Sequence, residues 1–448
     1  MTEAYDIGSR RELFLDDFLT QRKSGDIRFK LHEPTAQEPE SSNPIGHYQT
    51  ILRDGTVFRR YYRGHFSNFT GVDSPYLLKE GIQGEFTGYV ESTDGIHWRY
   101  PVLDLYDTGV PNVIQALDSV CTHNFTPFLD KNPRSDRQKR FKALGGTFEN
   151  GGLFAYYSAD GIHFRPYRKK PVFAAEEKYP YAFDSQNVAF YSEAEQQYVL
   201  YYRINLDIDG VRQRRIARAV SPDFIHWQTE GDLNVNRPGE HLYVSQMHPY
   251  CRAGHLYIGT ATRFFEDRGA ATDISLLFSR AGGPVFRPFP GGWIRPGPDP
   301  RRWGNRSNYM ALNIIRTGPL ELSLYHNRSQ VRYTLRPDGF ISLNAGIAGA
   351  KWQSKWLRYE KGTLEFNVST SAGGGLSVEL QDEEGKALPG FSFAENRVFY
   401  GDSPAYRPQW GENRTGVLTP GQIFRICCQF TDADLFSFCF NDSPDQAL

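Results

Sequence analysis

Hydrophobic and polar positions alternate along most of this chain in runs of five to eight residues, closed by Gly, Pro, Asp or Asn. That is the pattern of strands joined by tight turns. One run repeats. Tyr89 to Tyr100 reads YVESTDGIHWRY, Ala155 to Pro166 reads AYYSADGIHFRP, and Ala217 to Gln228 reads ARAVSPDFIHWQ. LLFSRAGGPVFRP from Leu276 and YTLRPDGFISL from Tyr333 keep the turn and the closing hydrophobe but lose the histidine. The aligned aromatics Trp98, Phe164, Trp227, Phe286 and Phe340 are 66, 63, 59 and 54 residues apart, room for four strands and their loops.

Upstream of each turn lies a second hairpin pattern, starting near His47, His123, Asp184, Tyr243 and Asn305. Two hairpins per unit and five units predict an all-β fold: a five-bladed β-propeller, in which radial repetition protects the sheet edges. ELFLDDFL, Glu12 to Leu19, is expected to supply the strand that closes the ring. After Leu343 the repeat stops, but alternation continues through TLEFNVSTSAGGGLSVELQ and QIFRICCQFTDADLFSFCF, which predicts an appended C-terminal β-sandwich. The expected domains are a propeller over 1–343 and a sandwich over 344–448, with the boundary between Asn344 and Lys351.

Composition supports strands. The chain has 32 Phe, 26 Tyr and 7 Trp against 3 Met, so rings and β-branched residues build the core. With 51 basic and 52 acidic residues there is no global field to recruit nucleic acid or an anionic membrane. Five cysteines, Cys121, Cys251, Cys427, Cys428 and Cys439, form no CxxC pair and read as reduced, buried thiols. The opening MTEAYDIGSRRELFLDD carries acids where a signal peptide needs a basic segment and an apolar run, and no uncharged apolar stretch approaches the roughly 18 residues of a membrane span. A cytoplasmic protein of unspecified oligomeric state is the expectation.

In a propeller the first strand of each blade lines the central channel, and here those strands open on polar clusters. They are Gly46-His47-Tyr48, Thr122-His123-Asn124, Asp184-Ser185-Gln186-Asn187, Gly239-Glu240-His241 leading to Gln246 and His248, and Asn305-Arg306-Ser307-Asn308-Tyr309. Five such openings predict a ligand pocket at the axis. By contrast His97, His163 and His226 recur within the turn motif and are expected to brace it, and Glu91 is expected to be structural.

The five-bladed layout with a trailing sandwich resembles the glycoside hydrolases of families 32, 43 and 68. The strings ELFLDDFL, HNFTPFLDKNP, AFDSQNVAFY, GEHLY, RWGNRSNYM and DADLFSFCF resemble a group of bacterial proteins described as similar to family 32 hydrolases, over nearly the whole chain. The W-M-N-D-P-N, R-D-P and E-C strings of family 32 itself are absent. The resemblance implies a carbohydrate substrate and an Asp and a Glu from different blades acting as a carboxylate pair, one protonated and one ionised.

Asp184 and Glu240, which open successive blades, are the candidate pair, Glu240 as general acid and Asp184 as base, nucleophile or pKa partner. Their non-catalytic readings are a cap ahead of a strand and a loop residue after Pro238-Gly239. Asp16 and Asp17 are alternative catalysts, although a strand lets only one of them face the channel. Candidate substrate-binding residues are His47, His123, Asn124, Gln186, His248, Asn305, Arg306 and Asn308; Tyr62, Tyr202, Tyr243 and Trp303 are candidate stacking rings. No cofactor is expected and no metal ligand set is seen, with a pocket-bound cation left open. Glycoside hydrolysis is the leading function. A phosphorylase holding inorganic phosphate with Arg63, Arg203, Arg263 and Arg306, and a noncatalytic carbohydrate-binding propeller, are the alternatives.

Overall fold

The computed structural model describes residues 4–38, 46–65, 85–107, 109–116, 123–304, 306–327, 329–412 and 414–441. They form two compact units: Pro34–Thr317 with Leu322–Thr334, and Met1–Glu33 with Gly318–Glu321 and Leu335–Leu448. The fold is all-β. The described helical pieces are three single 3₁₀ turns, at Arg137–Lys139, Glu266–Arg268 and Pro300–Arg302. No helix among the described residues is long and apolar enough to cross a membrane.

The larger unit is a five-bladed β-propeller. The first blade is His47–Asp54, Val57–His65, Glu85–Ser92 and Val113–Gln115; the second Thr126–Leu129, Phe141–Thr147, Gly152–Ser158 and Arg165–Pro166. The third runs Val188–Ser192, Gln197–Ile208, Val211–Ser221 and Gln228–Asp232. The fourth begins with His241–Ser245 and His248–Tyr250, both paired with Ala253–Phe265, and continues with Ala271–Arg280 and Val285–Phe286. The fifth has Ile315–Gly318, Glu321–Tyr325 and Arg332–Leu335, and its outer strand is Thr35–Ala36, paired with Thr334 and Tyr333.

The ring is therefore closed from the N-terminal side, but by Thr35–Ala36 and not by Glu12–Leu19. Only Glu12–Leu13 of that string is a strand, and it pairs with Phe438 and Ser437 of the smaller unit. The reason is burial: Phe14 packs 5.1 Å from Trp352 and 5.8 Å from Phe438, ring centre to ring centre, an apolar environment that an exposed outer strand lacks.

The repeated turn has one construction. In the first copy Ser92 Oγ accepts from the Gly95 amide at 2.9 Å, Asp94 Oδ1 accepts from the Ile96 and His97 amides at 2.7 and 2.8 Å, and His97 Nδ1 lies 2.6 Å from Asp94 Oδ2. Ser158-Asp160-His163 and Ser221-Asp223-His226 repeat it. These histidines brace turns, as their recurrence predicts, and Glu91 is held by Tyr89 and Arg99. Glycine is favoured at the αL position, where Gly95 and Gly161 both have φ of 76°. In the third copy Phe224 takes that conformation at φ 72° and is fully buried beside Phe128 and Trp227, so burial of a ring outweighs a backbone cost of about 1–2 kcal/mol. Neighbouring blades are tied through the same turns: Tyr61 Oη donates to the Gly161 carbonyl at 2.9 Å, and Tyr325 Oη to that of Gly95.

The smaller unit is one hydrogen-bonded sheet of eight strands built around Ile423–Asn441, which pairs with Ile341–Ser354, Thr363–Gln381, Leu357–Arg358 and Glu12–Leu13. The long strands shift register at Ala345/Ala350 and Thr370/Gly375, and Trp352, Phe366, Trp410 and Phe430 lie in their common core. Arg11 is buried there against Glu365 at 3.0 Å and Asp338 at 3.5 Å.

Candidate active site

The inner strands begin in strained backbone. Tyr48 in the first blade's inner strand, and Asn124, Phe183 and Arg306 in the segments that lead into the inner strands of the second, third and fifth, have φ of 48°, 55°, 68° and 53°. Left-handed conformations cost a non-glycine residue free energy and persist where surrounding contacts over-determine them. Tyr48 and Arg306 line one pocket of 280 Å³ together with His47, Arg63, Tyr243, Tyr309 and Asn327, whereas Asn124 and Phe183 are buried behind it. This volume is at the small end of ligand pockets, roughly 300–1,000 Å³. The three tyrosine rings form its platform: Tyr243 and Tyr309 meet edge-on at 5.6 Å, and Tyr48 lies 6.4 Å from Tyr309.

Beside this platform a chain of charges runs from buried to exposed. Arg63 stacks over Tyr48 at 4.4 Å and reaches Glu85 at 3.5 Å. His123 Nδ1 lies 2.8 Å from Glu85, and its Nε2 lies 3.8 Å from Asp184. Arg203 donates to Asp184 at 2.6 Å and faces the Tyr243 ring at 5.0 Å. The Asp184 side chain is 54% exposed, whereas Arg203 beneath it is 4% exposed.

These contacts set protonation. Burial works against charge on His123, but Asp184 and Glu85 outweigh it and raise its pKa to about 9. Burial alone would raise the Asp184 carboxyl; the His123 contact and the charge of Arg203 hold it well below the usual carboxylate range. Glu85 is likewise held down by His123 and Arg63 against its burial. At neutral pH the site contains an imidazolium between two carboxylates.

Beneath the pocket the axis is filled by amides. Gln186 donates to the backbone carbonyls of Tyr48 and Gln49 at 3.2 and 3.0 Å, and Gln246 donates to Gln186 Oε1 at 3.1 Å. Gln186 thus belongs to a buried network and not to the substrate surface. His248 is also displaced from its expected place: its Nδ1 is 2.9 Å from the Gln246 carbonyl, its Nε2 accepts from the Ile314 amide at 3.1 Å, and it lines a second cavity.

Glu240 is not brought to the pocket. Its side chain is 2% exposed, Arg287 donates to both oxygens, and the Arg237 amide donates to Oε1 at 2.8 Å. A general acid must reach substrate, and a carboxylate buried this deeply and clasped by Arg287 does not. Asn308 is saturated by the Thr272 and Arg302 carbonyls, each 2.7 Å away, and by the Arg302 guanidinium. Asp16 and Asp17 lie in a bend of the smaller unit, off any strand, Asp16 accepting from the Phe18 amide at 3.0 Å and Asp17 paired with Lys23 at 2.7 Å.

Asn124 is buried and accepts from Arg63 at 3.1 Å, a support for the site more than a contact surface. His47 and Arg306 line the pocket, and Asn305 lies outside the described residues. Of the candidate stacking rings only Tyr243 is in the pocket. Tyr62 and Tyr202 are buried in interblade core, and Trp303 is exposed. Glu85 and Asn327 carry no signal in sequence, since Glu85 enters from a blade's third strand and Asn327 from the turn after Glu321–Tyr325. Arg263 pairs with Asp273 at 2.5 Å, away from the Arg63, Arg203 and Arg306 group. Cys251 is exposed, contrary to expectation, while Cys427, Cys428 and Cys439 are buried. No group of three or more potential metal ligands occurs among the described residues.

No family model matches the chain, and no curated protein does. Among solved structures it is similar to a glycoside hydrolase at 13% identity, over 69% of this chain and 92% of the other, with a TM-score of 0.44. It is similar to an endo-arabinase from Bacteroides thetaiotaomicron at 13% identity, over 68% and 97%, with a TM-score of 0.42. A third, described with the GH130 family of mannoside phosphorylases, which contains hydrolases that target β-1,2-mannosidic linkages, matches at 12% identity, over 68% and 95%, with a TM-score of 0.44. Likeness at this depth carries no chemistry to individual side chains.

Proposed function

We propose that the protein is a carbohydrate-active enzyme that cleaves a glycosidic bond in the central propeller pocket. One observation carries this reading: an exposed carboxylate, Asp184, is held ionised by His123 and Arg203 at the edge of a three-tyrosine platform. Tyrosine faces suit the apolar face of a sugar ring, and an ionised carboxylate attacks an anomeric carbon or activates water against it. In this reading His123 carries the proton next to Asp184, and Glu85 orients the imidazole through Nδ1. Asp184→Asn should lower turnover at least about a hundredfold with the fold intact. The test is a screen of aryl glycosides and oligosaccharides with wild type and D184N; unchanged turnover in the variant would reject Asp184 as catalyst.

A second reading, phosphorolysis, is favoured by the arginines. Arg63 and Arg306 line the pocket and Arg203 adjoins it, a set suited to an anion beside the reacting carbon. Running the same screen with and without inorganic phosphate separates the two: phosphate-dependent release of a sugar phosphate supports phosphorolysis, and phosphate-independent release of free sugar supports hydrolysis.

A further inference from the structure

The inner strands that open at the central pocket end at a second cavity, on the far side of the glutamine network. His47–Asp54 begins with pocket residues His47 and Tyr48 and ends with Ile51, Leu52 and Arg53, which line this cavity of 370 Å³. All five blades contribute to its wall.

Its surface is divided by depth. The interior is apolar, with Phe128, Phe190, Leu312 and Ile314 all buried. His248 is there too, but both ring nitrogens are engaged by the Gln246 carbonyl and the Ile314 amide, so it adds no free polar atom. Around the mouth stand Arg53, Lys131, Arg252 and Arg316, from four different blades, and no carboxylate occurs among the described lining residues. Arg53 Nη1 donates to the Arg316 backbone carbonyl at 3.4 Å, which holds the Arg53 side chain against the start of the fifth blade's inner strand. Burial and then the charge of Arg252, with a smaller contribution from Arg53, push the Arg316 guanidinium below its ordinary pKa. Cations gathered over an apolar recess suit a ligand with an anionic head and an apolar body.

We propose that this far mouth is a binding site for an amphipathic carboxylate, its head group among Arg53, Arg252 and Arg316 and its aliphatic or aromatic body in the apolar recess. Each half of the surface suits one half of the ligand: a free inorganic anion leaves the recess wet, and a neutral apolar molecule makes no use of the cations at the mouth. The site is independent of the cleavage chemistry assigned to Asp184.

The test is isothermal titration of the full chain with octanoate, with acetate and octanol as the head-only and tail-only arms. Octanoate should bind at one site, and acetate and octanol each at least about tenfold more weakly. Arg252→Gln with Arg316→Gln should weaken octanoate at least about tenfold, while Arg306→Gln at the central pocket should leave it unchanged. Should the double variant fail to fold, Arg53→Gln, an exposed position, should give a smaller loss in the same direction. Absence of octanoate binding, equal binding of octanol or acetate, or sensitivity to R306Q in place of the far-mouth variants would overturn the proposal.

Discussion

Arg203 donates to Asp184 across 2.6 Å from beneath: the cation is 4% exposed and the carboxylate 54% exposed. A buried cation under an accessible anion fixes the position of the carboxylate and its ionisation together. It also differs from the Glu240–Arg287 pair, in which both partners are buried and nothing faces solvent.

Replacing the buried cation should therefore be read out in pH. Arg203→Met removes the guanidinium while keeping bulk, so the Asp184 carboxyl moves up toward its ordinary value near 3.8. The acidic limb of kcat/KM against pH should shift upward relative to wild type. An unmoved limb would mean that Arg203 only packs against Tyr243.

Glu240→Gln should be a stability variant. It leaves the Arg287 guanidinium buried without its counter-charge, and breaking such a pair costs about 3–5 kcal/mol. Denaturant unfolding should show the loss, and turnover per folded molecule should stay near wild type. A hundredfold drop in turnover at unchanged stability would instead return Glu240 to the catalytic set.

His123 makes stability depend on alkaline pH. Its folded pKa of about 9 lies above the ordinary value of 6.5, so its contribution is complete below 6.5 and is lost as pH rises through 9. Thermal melts of wild type should decline across this window. His123→Gln should be less stable at pH 6 and should lack the His123 part of the decline; parallel curves for the two proteins would contradict the assignment.

Phe224→Gly sets two effects against each other. Glycine relieves about 1–2 kcal/mol of left-handed strain, but removing a buried Phe ring costs about 3–5 kcal/mol. The variant should lose about 1–4 kcal/mol on denaturant unfolding. Gly161→Ala, whose added methyl would meet Tyr61 Oη at 2.7 Å, should also destabilise, although the turn sequence is otherwise kept.

The propeller was legible because its turns repeat locally: Ser, Asp, Gly and His bond to one another within six residues. What sequence withheld is long-range pairing. Glu240 opens a blade in the same way as Asp184, but Arg287, 47 residues further on, captures it. Asn308 looks like a pocket residue until Thr272 and Arg302 are seen to occupy its amide. Thr35–Ala36 is too short to carry any alternation, whereas the apolar string at Glu12 fits any sheet with a hydrophobic side. Asp184, His123, His47 and Arg306 come from the same kind of polar cluster and do lie at or beside the pocket, so such a cluster marks where an inner strand opens without fixing where each side chain points.

The pairing of Thr35 with Thr334 has a consequence during synthesis. The ribosome makes this stretch before any blade, yet its partner emerges about 300 residues later, and at roughly 5–20 residues per second that is at least about 15 seconds of waiting. Thr20–Leu31 waits in the same way for Ile341–Ser354. The nascent N-terminal arm is therefore an unpaired strand edge exposed to other chains while the blades between it and its partner are made, and neither unit can be sealed before that partner emerges.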